Sequence, residues 1–390
     1  MTEKVKRKWA FRDSYVAYFL MYNFYFLAYS LFSTLISVYM LDKGYKAAEV
    51  SFVVAASYLA SMLVQPLIGY LNDRFGSRPV TLISFVFVIV AGIGFMYADS
   101  LWSLTLTYSL ALMLINGVNP GMDLLAAKSP YKYGQIRIWG TIGYALGSQL
   151  SGWLYEKVSP VSIFPVFVAM MLISIIGTLA VSGQPPQQKE KRQAGMKELW
   201  SNRTFLVFLL VIGILSGVTN TGHTYIPAML HHAGLSVDLA TTVVSIAVIC
   251  ESPLIFFSYL FMDKVDSKKL MIFPMILVLA QFFVFSIPGA LPYKILLTLI
   301  AKHAANMILI MVAFKVVASL VSPSVLMTAL ALLQTVKNLF SILLQQFSGN
   351  MIDWVGYEGM SLMLTGTLLL VLLMTLFLKL PASKNDQLFS

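Results

Sequence analysis

Long apolar runs alternate with short polar turns along almost the whole chain. A helix that crosses a bilayer needs about 20 predominantly apolar residues, and runs of that kind recur about twelve times. The pattern therefore predicts an all-α integral membrane protein with twelve transmembrane helices. The predicted spans are residues 14–40, 47–71, 79–98, 101–125, 134–155, 160–182, 204–229, 239–262, 269–288, 292–318, 324–350 and 358–380.

One long polar interruption divides the spans into two sets of six. Gly183 and the two prolines that follow it stop a helix, and a run of Gln, Lys, Glu and Arg then indicates a solvated linker. Because an even number of spans separates the halves, they are predicted to be parallel repeats. We therefore expect an N-terminal six-helix bundle at 1–183, a cytoplasmic linker at 184–203 and a C-terminal six-helix bundle at 204–390.

Composition supports a membrane protein. The chain is 58% hydrophobic and only 11% charged, whereas soluble proteins have about 25% charged residues. The net charge of +10 concentrates in alternate loops, as the positive-inside rule predicts, so it does not indicate a nucleic-acid partner. We expect a multi-pass protein of the cell membrane, in contact with the lipid bilayer and with both termini cytoplasmic. The first run is too long to be a cleaved signal peptide.

A short charged loop follows the second span and has a second copy. Residues 69–78 read Gly-Tyr-Leu-Asn-Asp-Arg-Phe-Gly-Ser-Arg, and the acid, the first base, the serine and the last base recur 190 residues later (263 − 73). A repeated basic loop in a membrane chain indicates duplicated halves and therefore a transporter. The predicted gating residues are Gly69, Asp73, Arg74, Gly76, Arg78, Asp263 and Lys264.

Two sets of six spans, a basic central linker and this loop together resemble the major facilitator superfamily. The resemblance covers essentially the whole chain and implies transport by alternating access. It also implies that Asp73 and the Arg74/Arg78 pair form and break charge-assisted bonds on the cytoplasmic side as the halves rock. Topogenic positive charge is the simpler interpretation, but it explains the arginines and not the acid or the glycines.

Asp123 and Arg137 are charged residues inside predicted spans, where each costs at least about 2.5 kcal/mol on insertion scales. They flank the turn near Ser129, and each lies roughly 10 Å into its helix at 1.5 Å per residue. Antiparallel neighbours at equal depth can form an ion pair. The pair could be a structural staple between two helices, or an anchor for a polar substrate in a cavity.

The segment from Tyr133 to Tyr144 resembles the corresponding part of the lactose-permease type of oligosaccharide symporter and its nucleoside-symporter relatives. That resemblance implies that Asp123 and Arg137 hold substrate hydroxyls and that the ring of Tyr144 stacks on a sugar. This chain has aspartate where that group has glutamate, and tyrosine where it has tryptophan. A carboxylate, a guanidinium and a ring would still suit a polyol.

Glu251 lies in the middle of the eighth predicted span, with no basic neighbour in that span. A carboxyl group in apolar surroundings could carry a proton near neutral pH. It resembles the span-eight glutamate of the same symporters, which links the proton and substrate sites. The alternative is a buried glutamic acid that bonds to a neighbouring helix.

Lys302 and His303 lie in the tenth predicted span, and histidine titrates near physiological pH. The lactose-permease pattern places a glutamate one turn after the histidine, but here Ala305 and Asn306 occupy that place, so that relay is not intact. We predict proton coupling through Glu251 with Lys302 or His303. Helix packing is the alternative role for His303.

Polar stripes on other spans predict a central aqueous cavity, because hydroxyl and amide groups in lipid would be unsatisfied. Five tyrosines of the first span, from Tyr15 to Tyr29, are spaced by three and four residues and so share one helical face. Such a face could line the cavity or pack on another helix. With Asp123, Arg137 and Tyr144, the predicted substrate-binding residues are Tyr22, Tyr25, Asn220, Lys337 and Asn338.

These observations predict a secondary transporter, without catalytic residues, metal site or cofactor, that uses the proton gradient. We expect a monomer that imports a small polar solute with protons, such as a sugar, an oligosaccharide or a nucleoside. One alternative is a proton-driven exporter of drugs or amphipathic metabolites, although the proline-glycine motif of many exporters is missing from the fifth span. The other is a sensor or membrane-embedded enzyme, for which we find no catalytic constellation.

Overall fold

The computed structural model describes residues 11–183, 196–257, 261–262, 264–302, 304–322, 325–378 and 380. Every regular element of this part is helical, which confirms the predicted fold class. A 3₁₀ turn at Pro160–Ser162 precedes one of the helices. The α-helices are α1 (Tyr15–Ser33), α2 (Ile36–Asp42), α3 (Ala47–Phe75), α4 (Ser77–Met96), α5 (Leu101–Ala127), α6 (Tyr133–Lys157), α7 (Ile163–Ala180), α8 (Met196–Ser201), α9 (Arg203–His232), α10 (Val237–Phe256), α11 (Ser267–Phe285), α12 (Leu291–Ala301), α13 (Ala304–Leu320) and α14 (Leu326–Phe377).

Ten stretches of the described residues are long and apolar enough to cross a membrane. Helix α6 has 25 residues, a sufficient length, but it is too polar to be included on composition. Helix α14 has 52 residues and is interrupted at Gly356, where φ is +75°, so two predicted spans run through it. The count of twelve spans depends on including α6 and on dividing α14 at this glycine.

The first predicted span is interrupted near its end, which the apolar pattern does not show. Leu35 has φ −104° and ψ 16°, outside the helical region, and it separates α1 from α2. Just before it, the Ser33 hydroxyl donates to the Tyr29 carbonyl at 2.8 Å, and the Ser30 and Thr34 hydroxyls lie 3.1 Å apart. A hydroxyl group that bonds back to a carbonyl of the preceding turn bends a helix, and Ser33 makes such a bond at this break.

Helix α1 packs against α6 and α7, and its contact with α6 is especially close. Gly143 and Gly147 face the backbone of α1 at Asn23 and Leu27, where a Cβ atom would have no room. Glycine at these two positions lets the two backbones touch. The contact places the middle of α1 beside the middle of α6, and Arg137, six residues before Gly143, lies near Tyr22 and Phe26 of α1.

The two halves meet mainly through two helix pairs, α3 with α14 and α6 with α10, and α2 also contacts α9. The Asp353 carboxylate accepts hydrogen bonds from the backbone N–H groups of Ala47 and Ala48, both at 2.9 Å. The Glu156 carboxylate accepts one from the N–H group of Asp238, also at 2.9 Å. Each carboxylate therefore caps the first turn of a helix in the opposite half, where unpaired N–H groups and the helix dipole favour negative charge.

A glycine stands four residues before each of these carboxylates, and each packs tightly on a hydroxyl residue of the other half. Gly349 lies against Ser51, and Gly152 lies against Thr241. Thr241 follows Ser51 by 190 residues (241 − 51), the same interval as the two copies of the charged loop (263 − 73). The structure thus shows the duplication a second time. We call this side of the molecule, with its two capping carboxylates, the closed end.

Candidate functional site

A cavity of about 660 Å³ lies between the two halves and is lined by side chains from both. It extends to Gly69 and Asn72, which lie in the first half of the charged loop 69–78. The Ser51 hydroxyl lies 2.8 Å from the Tyr225 hydroxyl and accepts from Gln345 Nε2 at 3.2 Å, within the closed end. The cavity is therefore sealed at the closed end and reached from the side of the charged loop, which we call the open end.

The lining is rich in amides and tyrosines. Amides supply both donors and acceptors, and tyrosine rings supply flat apolar faces with a polar edge. This combination suits a small solute that carries hydroxyl groups or a ring. The amides are Gln65, Asn72, Asn116, Asn119, Asn220, Asn306, Gln334 and Asn338, and the tyrosines are Tyr29, Tyr58, Tyr108 and Tyr144.

Asp123 and Arg137 lie close together, but they do not form the predicted direct ion pair, since no N···O distance between them is within 4.0 Å. The Asp123 carboxylate instead accepts hydrogen bonds from the Tyr22 hydroxyl and, at 3.2 Å, from the Tyr133 hydroxyl. The Arg137 guanidinium lies 5.4 Å from the ring centre of Phe26 and 6.0 Å from that of Tyr22. Both distances allow cation–π attraction.

Only one member of this predicted anchor faces the cavity. Arg137 is in the lining, whereas Asp123 lies behind Tyr22, outside it. Tyr22 therefore bridges the two charges, with its hydroxyl on the acid and its ring beside the base. Asp123 and Arg137 can still lie at equal depth on antiparallel helices, as predicted. They do not touch each other, because the side chain of Tyr22 lies between them.

The tyrosine stripe of α1 is mostly a packing face. Tyr22 and Tyr25 are fully buried outside the cavity lining, and the Tyr25 hydroxyl donates to the Ile115 carbonyl at 2.7 Å. Tyr15 accepts a hydrogen bond from Trp139 Nε1 at 2.8 Å. Of the five tyrosines only Tyr29 lines the cavity. Tyr22 and Tyr25 were predicted to bind substrate, but neither lines the cavity in this conformation.

Tyr144 lies where the resemblance placed an aromatic residue for stacking. It lines the cavity, and its ring meets that of Tyr29 edge to face, with centroids 5.8 Å apart. The two rings come from α6 and α1, which Gly143 and Gly147 hold in contact. Tyr29 therefore orients the ring of Tyr144, the residue predicted to stack on a sugar.

Glu251, Lys302 and His223 line the cavity from the second half. Lys302 Nζ lies 3.1 Å from Nδ1 of His223, and Glu251 interacts electrostatically with Lys302 and with Arg137. An ammonium group has no acceptor, so Nδ1 of His223 must be the unprotonated nitrogen while Lys302 is charged. His303, predicted to share in proton coupling, lies outside the described residues. His223 instead contacts Lys302, from a different helix.

Polar residues of α9 and α14 form the remaining wall. Asn220 donates to the Ser341 hydroxyl at 2.7 Å, and Gln334 donates to the side-chain carbonyl of Asn338 at 3.1 Å. Asn220, Asn338 and Lys337, all predicted for binding, line the cavity together with Gln334. The 3.6-residue periodicity of α14 puts its polar residues on one helical face, and that face lines the cavity.

The charged loop lies at the open end. Gly76 has φ +87° and separates α3 from α4. Arg78 donates to the carbonyls of Thr178 and Leu179, at 3.2 and 2.5 Å, and so binds the last turn of α7, where the helix dipole favours a cation. Arg74 is exposed, with a guanidinium nitrogen 3.2 Å from the Tyr70 hydroxyl. In the second copy Lys264 is exposed, and Asp263 lies outside the described residues.

Sequence reasoning missed several lining residues. Tyr58 and Tyr108 lie in the second and fourth predicted spans, and the amides Gln65 and Asn116 lie in the same two spans. Single polar residues in apolar runs were the available signal, because they need partners in the membrane. No group of three or more His, Cys, Asp or Glu side chains within the described residues is arranged to hold a metal ion.

Comparison with known proteins identifies the class. The model of the MFS_1 like family matches residues 15–365. An uncharacterized transporter, YwbF of Bacillus subtilis (strain 168), is 25% identical over 65% of this chain and 65% of its own length. A maltose permease of Geobacillus stearothermophilus is 25% identical over 58% of this chain and 59% of its own. A probable 3-phenylpropionic acid transporter of Escherichia coli (strain K12) is 23% identical over 72% and 76%.

Solved structures share the fold. A mutant form of the nucleoside transporter NupG superposes with a TM-score of 0.84 at 16% identity, over 93% of this chain and 98% of that one. A POT family transporter superposes with a TM-score of 0.75 at 10% identity, over 93% and 95%. The match to the first two curated relatives spans less than two thirds of their length.

The chain therefore belongs to the MFS_1 like family and is a multi-pass membrane transporter of the major facilitator superfamily. Its curated relatives are named as transporters and permeases, not as enzymes.

Proposed function

We propose that this protein is a proton-coupled symporter that imports a small polar solute across the cell membrane by alternating access, as a monomer with both termini in the cytoplasm. The observation that carries the proposal is the position of Glu251. It is the one carboxyl group among the described residues that line a cavity sealed at the closed end, and it lies near Lys302 and Arg137.

A carboxyl group in that position can connect proton and solute. When Glu251 is protonated, Arg137 and Lys302 no longer face its negative charge and can bind the solute. When it releases the proton, it competes for them, because opposite charges attract strongly at low dielectric. Binding of the proton and binding of the solute would then favour each other, which is the coupling that symport requires.

The lining and the relatives together support the proposed solute class. Two relatives are named for sugars, the maltose permease and a sucrose permease of Escherichia coli, and the structural neighbour NupG is named for nucleosides. Amides and tyrosines provide the hydrogen bonds and ring faces that such solutes need. A third relative is named for a carboxylic acid, so the charge of the solute must be argued from the cavity itself.

The test is transport by the purified protein in proteoliposomes with an imposed pH gradient. Maltose, sucrose, uridine and 3-phenylpropionate are the probes. The readout is external alkalinisation on addition of each probe, together with accumulation of that probe. We expect Glu251→Gln to lose proton-driven accumulation and to keep exchange. Asp99→Asn removes an exposed carboxylate outside the cavity and should leave both unchanged.

Two results would contradict the proposal. Unchanged alkalinisation in Glu251→Gln would remove this residue from coupling. Accumulation only in inside-out vesicles would establish a proton-driven exporter, which has the same fold and the opposite direction.

A further inference from the structure

Within the described part of the chain, Lys337 has no counter-charge, unlike the other cations of the cavity. Among the described residues, the lining contains three cations, Arg137, Lys302 and Lys337, but a single carboxylate, Glu251. Arg137 has Asp123 nearby through Tyr22, and Lys302 has Glu251 and His223. Lys337 Nζ has no hydrogen bond or ion pair within the described part of the chain.

The position of Lys337 excludes the usual functions of a membrane lysine. It lies eleven residues after Leu326 (337 − 326), about 16 Å along α14. A lysine that orients a span, or that extends its ammonium to the membrane surface, lies near a helix end. Lys337 is instead part of the cavity wall, so its charge is available to a solute.

Neutral donors and acceptors surround it. Ser216 and Asn306 line the main cavity with Lys337, and the same three residues also border a small void of about 10 Å³ beside it. A hydroxyl and an amide N–H next to an ammonium group form a set of donors that a carboxylate can satisfy. An uncompensated cation in a confined site is costly, and a bound anion removes that cost.

We infer that the solute carries a carboxylate group, which binds to Lys337 beside Ser216 and Asn306, while its polar or aromatic body lies against Tyr144 and Tyr29. This inference rests on the proposed function and names the charge of its cargo. A carboxylate on the solute also determines which gradient drives uptake. One proton moved with one monoanion carries no net charge, so uptake responds to the pH gradient and not to the membrane potential.

The experiment compares each acid with an uncharged partner: glucuronate with glucose, benzoate with benzamide, and lactate with propane-1,2-diol. Binding to the purified full-length protein is measured by thermal shift, because a ligand that binds only the folded state raises apparent stability. At least one acid should bind, and its uncharged partner should bind about tenfold to 100-fold more weakly, since hydrogen bonds to charged groups are strong.

Variants assign the effect to the residue. Lys337→Gln should lose the preference for the acid, and Lys337→Arg should keep most of it. Lys128→Gln removes an exposed positive charge outside the cavity and should bind as the original protein does. Thermal unfolding without ligand shows whether each variant folds.

Several outcomes overturn the inference, and they can be told apart. If only uncharged partners bind and are transported with protons, the carboxylate inference is wrong and the proposed symport stands. If an acid binds equally well to Lys337→Gln, the site lies elsewhere. If an acid binds as expected but no proton moves with it, the proposed function fails instead. If no acid binds, the inference is wrong.

Discussion

The hydroxyl group of Tyr22 donates a hydrogen bond to the carboxylate of Asp123. The ring of the same tyrosine lies 6.0 Å from the Arg137 guanidinium, so one side chain contacts both charges. A third helix, α1, thereby joins the hairpin of α5 and α6 that carries the two charges. Asp123 supports this arrangement from behind, and Arg137 faces the cavity.

Removing the Tyr22 hydroxyl tests the bridge. Tyr22→Phe should lower the free energy of unfolding by about 1.5–3 kcal/mol, the usual contribution of a hydrogen bond to a charged group. The measurement is thermal or denaturant unfolding in detergent. In a double-mutant cycle with Asp123→Asn, the two losses should be strongly non-additive. Additive losses would show that the two side chains do not depend on each other. Tyr15→Phe is the control, because the Tyr15 hydroxyl bonds to Trp139 and not to Asp123, and its loss should be additive with Asp123→Asn.

Arg137 and Asp123 should differ in their effect on substrate. Arg137→Ala should abolish binding, because the guanidinium lines the cavity, whereas Asp123→Asn should weaken it by less, because the carboxylate lies behind Tyr22. Binding of the transported probe by both variants, measured after confirming that each folds, decides this. Equal and complete loss in both would mean that Asp123 reaches the solute in another conformation.

The capping carboxylate Asp353 should stabilise the closed end. Asp353→Ala removes acceptors for two N–H groups of α3, and loss of a helix cap typically costs about 0.5–2 kcal/mol. We expect a shift of several-fold toward conformations opened at this end. Spin labels attached to cysteines at positions 99 and 293, one in each half, measure the separation of the halves at the closed end. The background variant is Cys250→Ser, which removes the native cysteine. Glu49→Ala changes a carboxylate that serves only its own half and is the control.

The second cap predicts a dependence on pH. The hydrogen bond from the Asp238 N–H group lowers the pKa of Glu156. The stability that Glu156 gives to the closed end is therefore fully present at a pH above the ordinary glutamate pKa of about 4.3. That stability is lost as the pH falls through the lowered pKa of Glu156. Acidification should lengthen the distance between spin labels at positions 99 and 293. Glu156→Gln should remove that part of the response, and a variant that keeps the full response would contradict the assignment.

Two glycines of the charged loop should respond oppositely to alanine. Gly76 has φ +87° and ψ 151°, a region that residues with a Cβ avoid, so Gly76→Ala should cost about 1–3 kcal/mol of stability. Gly69 is helical, and a Cβ there would meet no atom within 4 Å. Gly69→Ala should be neutral or stabilising by up to about 1 kcal/mol. Thermal unfolding of both variants decides the point, and equal losses would be inconsistent with these backbone angles.

The sequence by itself determined the class of the protein. Apolar runs of about 20 residues require helices in a membrane, and the interval between residues 73 and 263 indicates duplication. It also predicted that Arg137, Glu251 and Lys337 would be functional, because charged groups are too costly in lipid without a purpose. The family resemblance added Tyr144 to that set. All four line the cavity.

Tertiary structure alone decided which charges touch and which end is closed. Periodicity fixes the face on which a residue lies but not the rotation of one helix against another. It therefore could not show that Tyr22 separates Asp123 from Arg137, or that His223 reaches Lys302. The sequence could not show which end is closed for the same reason. Asp353 and Ala47 are 306 residues apart in the chain, and only the packing of α3 on α14 brings a carboxylate to an open helix terminus.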